Sequence, residues 1–211
     1  MVGRWLQRQW FEQRRLSPAL WLLAPLAGLY AAVAAHNRRH ARPERLAVPV
    51  IVVGNITVGG AGKTPLTLWL VGQLMARGWH PGIVSRGYGG KKTLPHPVRA
   101  ESVAVDVGDE PILLARRSGA PVWVGRDRVA AGRALLAEHP EVNVIVCDDG
   151  LQHYRLGRDV EIAVLDAARG LGNGWRLPAG PLREGPRRLA SVNAVVLNGE
   201  TGKEVTRVPW P

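Results

Sequence analysis

A doubly wound, mainly parallel α/β sheet is the fold class this sequence predicts, and three observations predict it. Short, β-branched apolar runs recur along the chain, at Leu46–Gly54, Ile83–Ser85, Val122–Val124, Val142–Cys147, Val160–Leu165 and Val192–Leu197. Such runs read as strands buried on both faces. Helical patterns lie between several of them, notably Glu110–Arg117 and Asp127–His139, and strands alternating with helices place a parallel sheet between two helical layers. The first run also ends in Gly54 and passes through NITVGGAGKTP into LTLWLVGQLMARG. Ligands of such sheets sit at the carboxyl ends of the strands.

Composition narrows the class. The chain has 211 residues, of which 46% are hydrophobic, which excludes a disordered protein. Its single cysteine, Cys147, excludes a disulfide scaffold or a cysteine zinc site and fits a reducing compartment. The formal charge is +11, and residues 1–50, with eight Arg and two Glu, hold +6 of it.

That basic quarter contains an apolar stretch. Pro18–Ala35 reads PALWLLAPLAGLYAAVAA, with no charged residue between Arg15 and Arg38. It is at the lower limit for a membrane span, carries Pro25 and Gly28 near its middle, and ends in small residues that could imitate a signal cleavage site. A buried helix of the globular domain is a further alternative. Arg4, Arg8, Arg14 and Arg15 precede the stretch and Arg38, Arg39, Arg42 and Arg45 follow it. This symmetry gives no positive-inside bias to orient a span, but it suits a segment dipped into one anionic leaflet. Residues 1–45 are therefore expected to form a helical segment at a membrane interface, ahead of a core at 46–211. Nucleic acid is not expected as the partner, because phosphate tracking has no use for an apolar stretch between basic flanks.

The glycine-rich turn carries the chemistry. Strand, glycine loop, Lys-Thr and helix form the P-loop context. Thr57, Val58, Gly59, Gly60, Ala61 and Gly62 would turn backbone N–H groups toward phosphate oxygens. Lys63 would reach the β- and γ-phosphates of ATP, and Thr64 would offer its hydroxyl to Mg²⁺. Thr57 departs from the strict pattern, which has Gly there. The strand Val142–Cys147 ends in Asp148 and Asp149, either a carboxylate pair holding the magnesium shell or two acidic turn residues. No Asn-Lys-x-Asp guanine reader follows Val192–Leu197, and Val58 stands where partition-type ATPases carry a signature Lys. ATP is therefore the expected nucleotide. The glycine- and lysine-rich stretch Arg86–Pro97 reads as a loop.

Five blocks in order, GNITVGGAGKTP (Gly54–Pro65), SRGYGG (Ser85–Gly90), GDEP (Gly108–Pro111), DDGLQHYRLGRD (Asp148–Asp159) and GNGWRLPAGPLRE (Gly172–Glu184), make the chain resemble the tetraacyldisaccharide 4'-kinases, the lipid A 4'-kinases of Gram-negative bacteria. The resemblance implies transfer of the ATP γ-phosphate to the 4'-hydroxyl of tetraacyldisaccharide 1-phosphate, giving lipid IVA, at the cytoplasmic face of the inner membrane. Its substrate would be a lipid A precursor in the membrane surface, and its cofactors ATP and Mg²⁺.

The resemblance also implies roles. Asp109 matches the family's proposed general base, with Glu110 beside it, although by residue type alone Asp109 reads more readily as an N-cap. Arg183 of PLRE would stabilise charge on the transferring phosphoryl group; its alternative is a solvated surface Arg. Ser85, Arg86 and Tyr88 would line the headgroup site, and Gln152 and His153 would orient substrate, His153 being otherwise a hydrogen-bonded structural residue. Family members carry a second, C-terminal lobe with a histidine that pairs with the general base. Most of that lobe has no counterpart here, so a fragment is the expectation, and a membrane-tethered ATPase or a non-catalytic nucleotide-binding remnant is the alternative.

Overall fold

The structure, a computed structural model, describes residues 2–12 and 18–199. Arg14 and Arg15 of the basic flank and residues 200–211 lie outside them. The chain packs as two compact units, one of Arg42–Gly54 with Lys63–Ile162, the other of Met1–Ala41, Asn55–Gly62 and Ala163–Pro211.

The first unit is the α/β sheet that the alternating pattern predicts. Its strands are β1 (Val50–Gly54), β2 (Pro81–Ser85), β3 (His96–Val98), β4 (Val122–Val124) and β5 (Val144–Asp148), in the order β3-β4-β2-β5-β1. Strands β1, β5, β2 and β4 run parallel, with Val53 level with Asp148 and Ser85 level with Val124. The helices are α4 (Lys63–Met75), the short α5 (Ala104–Val107), α6 (Asp109–Ser118) and α7 (Arg128–Glu138). They are numbered after three helices of the other unit, α1 (Val2–Phe11), α2 (Pro18–Trp21) and α3 (Ala24–His40).

Helix α4 packs on α6, and α7 packs on β2 and β4. The β1-α4-β2 and β4-α7-β5 crossovers run in opposite directions across the sheet. Right-handed connections therefore put their helices on opposite faces, which is the double winding. The core is aliphatic, with Val52, Val53, Ile83, Val84, Leu135, Ile145 and Val146 wholly buried.

Local chemistry sets the element ends. Helix α7 opens on Asp127, whose carboxylate accepts the backbone N–H groups of Val129 (3.0 Å) and Ala130 (3.3 Å), an N-cap. Helix α6 closes on Gly119 at φ 69°, the left-handed position where glycine costs least. Helix α4 turns Lys63, Thr64, Thr67 and Val71 inward and leaves Met75 exposed. Its buried stripe is therefore partly polar. Strand β3 overlaps the end of the stretch read as a loop and runs on to Val98, antiparallel to β4 at the sheet edge. Three residues are too few to show a period, and Pro97 is tolerated on an edge strand.

The second unit holds α1, α2 and α3, the glycine loop 55–62, most of strand β6 (Val160–Asp166), a 3-10 helix over Pro186–Ser191 and strand β7 (Ala194–Asn198). The N-terminal helices are tied to the loop that follows β6. The N–H of Asn173 donates to the carbonyl of Trp10 (2.7 Å). Trp21 meets Trp175 edge to face with ring centroids 5.4 Å apart. Among the described residues, no helix is long and apolar enough to cross a membrane.

Candidate active site

Strand β5 ends on Asp148, wholly buried at the carboxyl edge of the sheet. The Thr67 hydroxyl donates to Asp148 Oδ1 (2.9 Å), while Oδ2 is buried without a hydrogen-bond partner among the described residues. Burial pushes the Asp148 carboxyl up to about 6, against the Thr67 hydrogen bond and the Lys63 charge. A carboxylate oxygen held dry, with unused lone pairs, is an incomplete arrangement unless a cation completes it. Thr64 is buried on α4 three residues before Thr67, and the hard oxygens of Asp148 and Thr64 fit Mg²⁺. Among the described residues there is no cluster of three or more His, Cys, Asp or Glu side chains, so such an ion would draw further ligands from phosphate and water.

Asp149 follows in the left-handed region at φ 49°, strained for a residue with a side chain, and its carboxylate lies 3.6 Å from Lys63 Nζ. Lys63 is only 8% exposed, a buried ammonium facing an acidic pair. Cys147, one residue earlier, is buried and pushed up to about 11 by desolvation, so it is an inert thiol.

The turn after Asp149 is stapled from behind. Arg158 donates to the carbonyls of Leu151 (3.0 Å), Leu156 (3.0 Å) and His153 and to the Glu161 carboxylate (3.0 Å). His153 Nε2 accepts the backbone N–H of Arg128 (3.3 Å). Burial and the neighbouring Arg128 charge hold His153 down to about 4, so its ring is neutral near pH 7. This is the hydrogen-bonded structural position. Gln152 is half-buried in the same turn. Arg128, itself buried, reaches the carbonyls of Arg126 (3.0 Å) and Asp149 (3.4 Å).

The Ser85–Gly90 block and the GDEP block come together in the same unit. Ser85 is buried at the end of β2, and Tyr88 stands out at 80% exposure. The chain then folds back, with Lys91 N–H donating to the Val105 carbonyl (3.0 Å) and Lys92 N–H to that of Asp106 (2.9 Å). Gly108, at φ 88°, takes the N-cap position of α6 without a side-chain cap. Asp109 is thus the first helical residue and its carboxylate stays exposed, so the N-cap alternative is not realised. A Cβ on Gly108 would run into the Tyr88 carbonyl. Gly108→Ala is expected to cost about 1–3 kcal/mol, read as a lower midpoint in urea unfolding; an unchanged midpoint would show that the two loops part without cost.

The glycine loop belongs to the other unit. Gly59 (φ 97°) and Gly62 (φ 86°) take left-handed conformations, and Asn55 Nδ2 donates to the Gly59 carbonyl (3.3 Å). The PLRE segment lies along it. Val58 N–H donates to the Pro181 carbonyl (2.9 Å), Arg183 N–H donates to the Ile56 carbonyl (2.7 Å), and Thr57 and Leu182 form an antiparallel bridge. Arg183 is therefore half-buried beside Ile56–Val58, not a loose surface Arg.

Sequence reasoning missed Thr67, Arg128, Arg158 and this pairing. Thr67 had a signal, since it follows Lys63 by four residues and so shares its helical face, and Arg158 lies inside the DDGLQHYRLGRD block; the other two had none.

A family model described as Tetraacyldisaccharide-1-P 4'-kinase matches residues 19–209. The chain belongs to that family. Among curated members, the tetraacyldisaccharide 4'-kinase of Dechloromonas aromatica is 68% identical over 200 residues, covering 95% of this chain and 60% of the relative. That of Chromobacterium violaceum is 58% identical over 202 residues, covering 93% and 59%. Among solved structures, an LpxK from Aquifex aeolicus in complex with ATP matches with a TM-score of 0.75 at 32% identity, covering 85% of this chain and 58% of that one. The chain thus spans about 60% of the length of the curated family members it matches.

Proposed function

We propose that this chain carries the ATP-handling part of a lipid kinase that phosphorylates the 4'-hydroxyl of tetraacyldisaccharide 1-phosphate to give lipid IVA. The observation that carries the reading is the buried Asp148, held by Thr67 on the Lys63 face of α4, in a member of this family. Phosphoryl transfer needs positioned charge more than covalent chemistry. Lys63 exchanges its Asp149 partner for the β- and γ-phosphates, and the amides of Thr57–Gly62 take phosphate oxygens. Thr64, Asp148 and Asp149 would hold Mg²⁺, which when bound would neutralise charge on those oxygens. The 4'-oxygen attacks the γ-phosphorus while the bond to the β–γ bridging oxygen breaks. The hydroxyl proton goes to Asp109, ADP leaves, and Arg183 stabilises the transferring group. Glu110, Ser85, Arg86, Tyr88, Gln152 and His153 frame the headgroup, His153 and Gln152 through the turn they hold.

The test is transfer of labelled γ-phosphate from ATP to the disaccharide lipid in mixed micelles, parent chain against Asp109→Ala. Product from the parent, cut by a factor of about 10² or more in the variant, is expected; equal rates would remove Asp109 from the proton path.

The lipid substrate requires a surface. Helices α2 and α3 and their joint expose Trp21, Leu22 (81%), Leu26, Leu29 and Val33, with Arg38 and Arg39 in the last turn of α3. We read this as a peripheral face that dips into an anionic leaflet, on the cytoplasmic side where ATP is available. Leu22→Glu/Leu26→Glu/Leu29→Glu is expected to weaken co-sedimentation with anionic vesicles at least about tenfold, since each buried Leu contributes about 1.5–3 kcal/mol. Undiminished binding would place the lipid contact elsewhere.

A further inference from the structure

Immediately after Arg183 the second unit buries an ion pair. Glu184 and Arg188 are 8% and 4% exposed, and Arg188 Nε lies 3.4 Å from Glu184 Oε2. The 3-10 helix over Pro186–Ser191 returns Arg188 to Glu184 one turn later. The other end of the guanidinium is also fixed, because Nη1 donates to Ser191 Oγ (2.8 Å) and that hydroxyl donates to the Arg188 carbonyl (2.9 Å). Arg188 N–H in turn donates to the Gly185 carbonyl (2.9 Å).

A buried ion pair is a poor way to gain stability, since desolvation offsets most of the attraction and an apolar pair of similar volume holds a fold as well. What the pair supplies is direction. The planar guanidinium is hydrogen-bonded to Ser191 on one side and faces the Glu184 carboxylate at 3.4 Å on the other, and Glu184 is the residue bonded to Arg183. On the other side of Arg183, the Pro181–Arg183 backbone is joined to Ile56–Val58 by two hydrogen bonds and a bridge.

We propose that Glu184 and Arg188 are a positioning pair, which holds Pro181–Arg183 against Ile56–Val58 and thereby sets both the backbone of the glycine loop and the placement of Arg183. The consequence for nucleotide rests on the ATP reading above; the consequence for the backbone does not. Neither residue touches phosphate in this scheme. Each acts through the segment it anchors.

The experiment is hydrogen exchange at the amides of Val58 and Arg183, read alongside ATP affinity by calorimetry. It uses the whole chain, its Glu184→Gln/Arg188→Met double variant, which removes both charges at similar volume, and Arg188→Lys, which keeps the charge and loses the fork. Exchange at Ile145, whose N–H donates to the Pro49 carbonyl, reports whether the sheet is intact. In the double variant, protection at Val58 and Arg183 is expected to fall about tenfold or more with Ile145 unchanged. The ATP Kd is expected to rise by a similar factor, with Arg188→Lys in between.

Parent-like protection at both amides, in either variant with Ile145 intact, overturns the proposal. If the parent binds ATP and the double variant matches it in exchange and affinity, positioning falls and the ATP reading stands. If the parent does not bind ATP while the two amides still lose protection, the ATP reading falls and the positioning of the loop stands.

Discussion

Lys63→Ala is expected to lower phosphoryl transfer by a factor of about 10³ or more and to weaken ATP binding at least about tenfold. The side chain is buried on the inward face of α4 and lies 3.6 Å from Asp149. In the free protein its ammonium offsets two adjacent carboxylates; in the proposed scheme it would offset phosphate oxygens as the bond from the β–γ bridging oxygen to the γ-phosphorus breaks. Losing it removes charge from both states but costs more where negative charge is concentrated, so the rate suffers more than affinity. Lys63→Arg should not rescue, because the broader planar guanidinium is a different shape of charge from a compact ammonium. Calorimetry with ATP and Mg²⁺, beside γ-phosphate transfer, separates the two effects. Parent-like transfer by Lys63→Ala would remove this loop from the chemistry.

Asp148→Asn is expected to stabilise the nucleotide-free protein while eliminating its response to Mg²⁺. Burial raises the Asp148 carboxyl to about 6, above its value in the unfolded chain. Between these two values the folded state keeps a proton that the unfolded chain has lost, so stability falls as pH rises through that window. Above about pH 6 the folded protein carries the whole cost of a buried, ionised carboxylate. The rise from the ordinary carboxylate value to about 6 corresponds to at most about 3 kcal/mol. Asn keeps an oxygen for the Thr67 hydroxyl and has no charge to desolvate. The variant should therefore unfold several degrees above the parent at pH 8, and the difference should vanish near pH 4. In the parent, ATP with Mg²⁺ should raise the unfolding temperature above pH 6 and do so progressively less below it, because cation binding requires the ionised form. In Asp148→Asn, Mg²⁺ should add nothing to ATP at any pH. A variant less stable than the parent at pH 8 would mean that the carboxylate is compensated by groups other than Lys63 and Thr67.

Residues with local neighbours were legible. The strand that becomes β1, the glycine turn, Lys63 and Thr64 are contiguous, and the apolar run 142–147 announces β5 because strands covered on both faces have no polar alternation to hide them. Asp148 could be read as a strand-end carboxylate for the same reason. By type Asp109 favours the cap, since an acid before a helix commonly serves as one; Gly108 in the cap position overturns that reading and leaves a free carboxylate. By type His153 favours a hydrogen-bonded structural role, but its backbone partner Arg128, 25 residues away, has no local signal.

The sequence by itself determined most of the elements, their alternation and the glycine-rich turn, because helical and strand periods and glycine conformations act over a few residues. Only the tertiary structure decided which groups meet across long separations. Thr67 finds Asp148 81 residues on, Arg183 finds Ile56 along the glycine loop, and β3 joins the edge of β4. None of these pairings has a period. Each exists because a buried polar group must be satisfied by whatever donor the packing brings to it, and that choice is made by the fold as a whole.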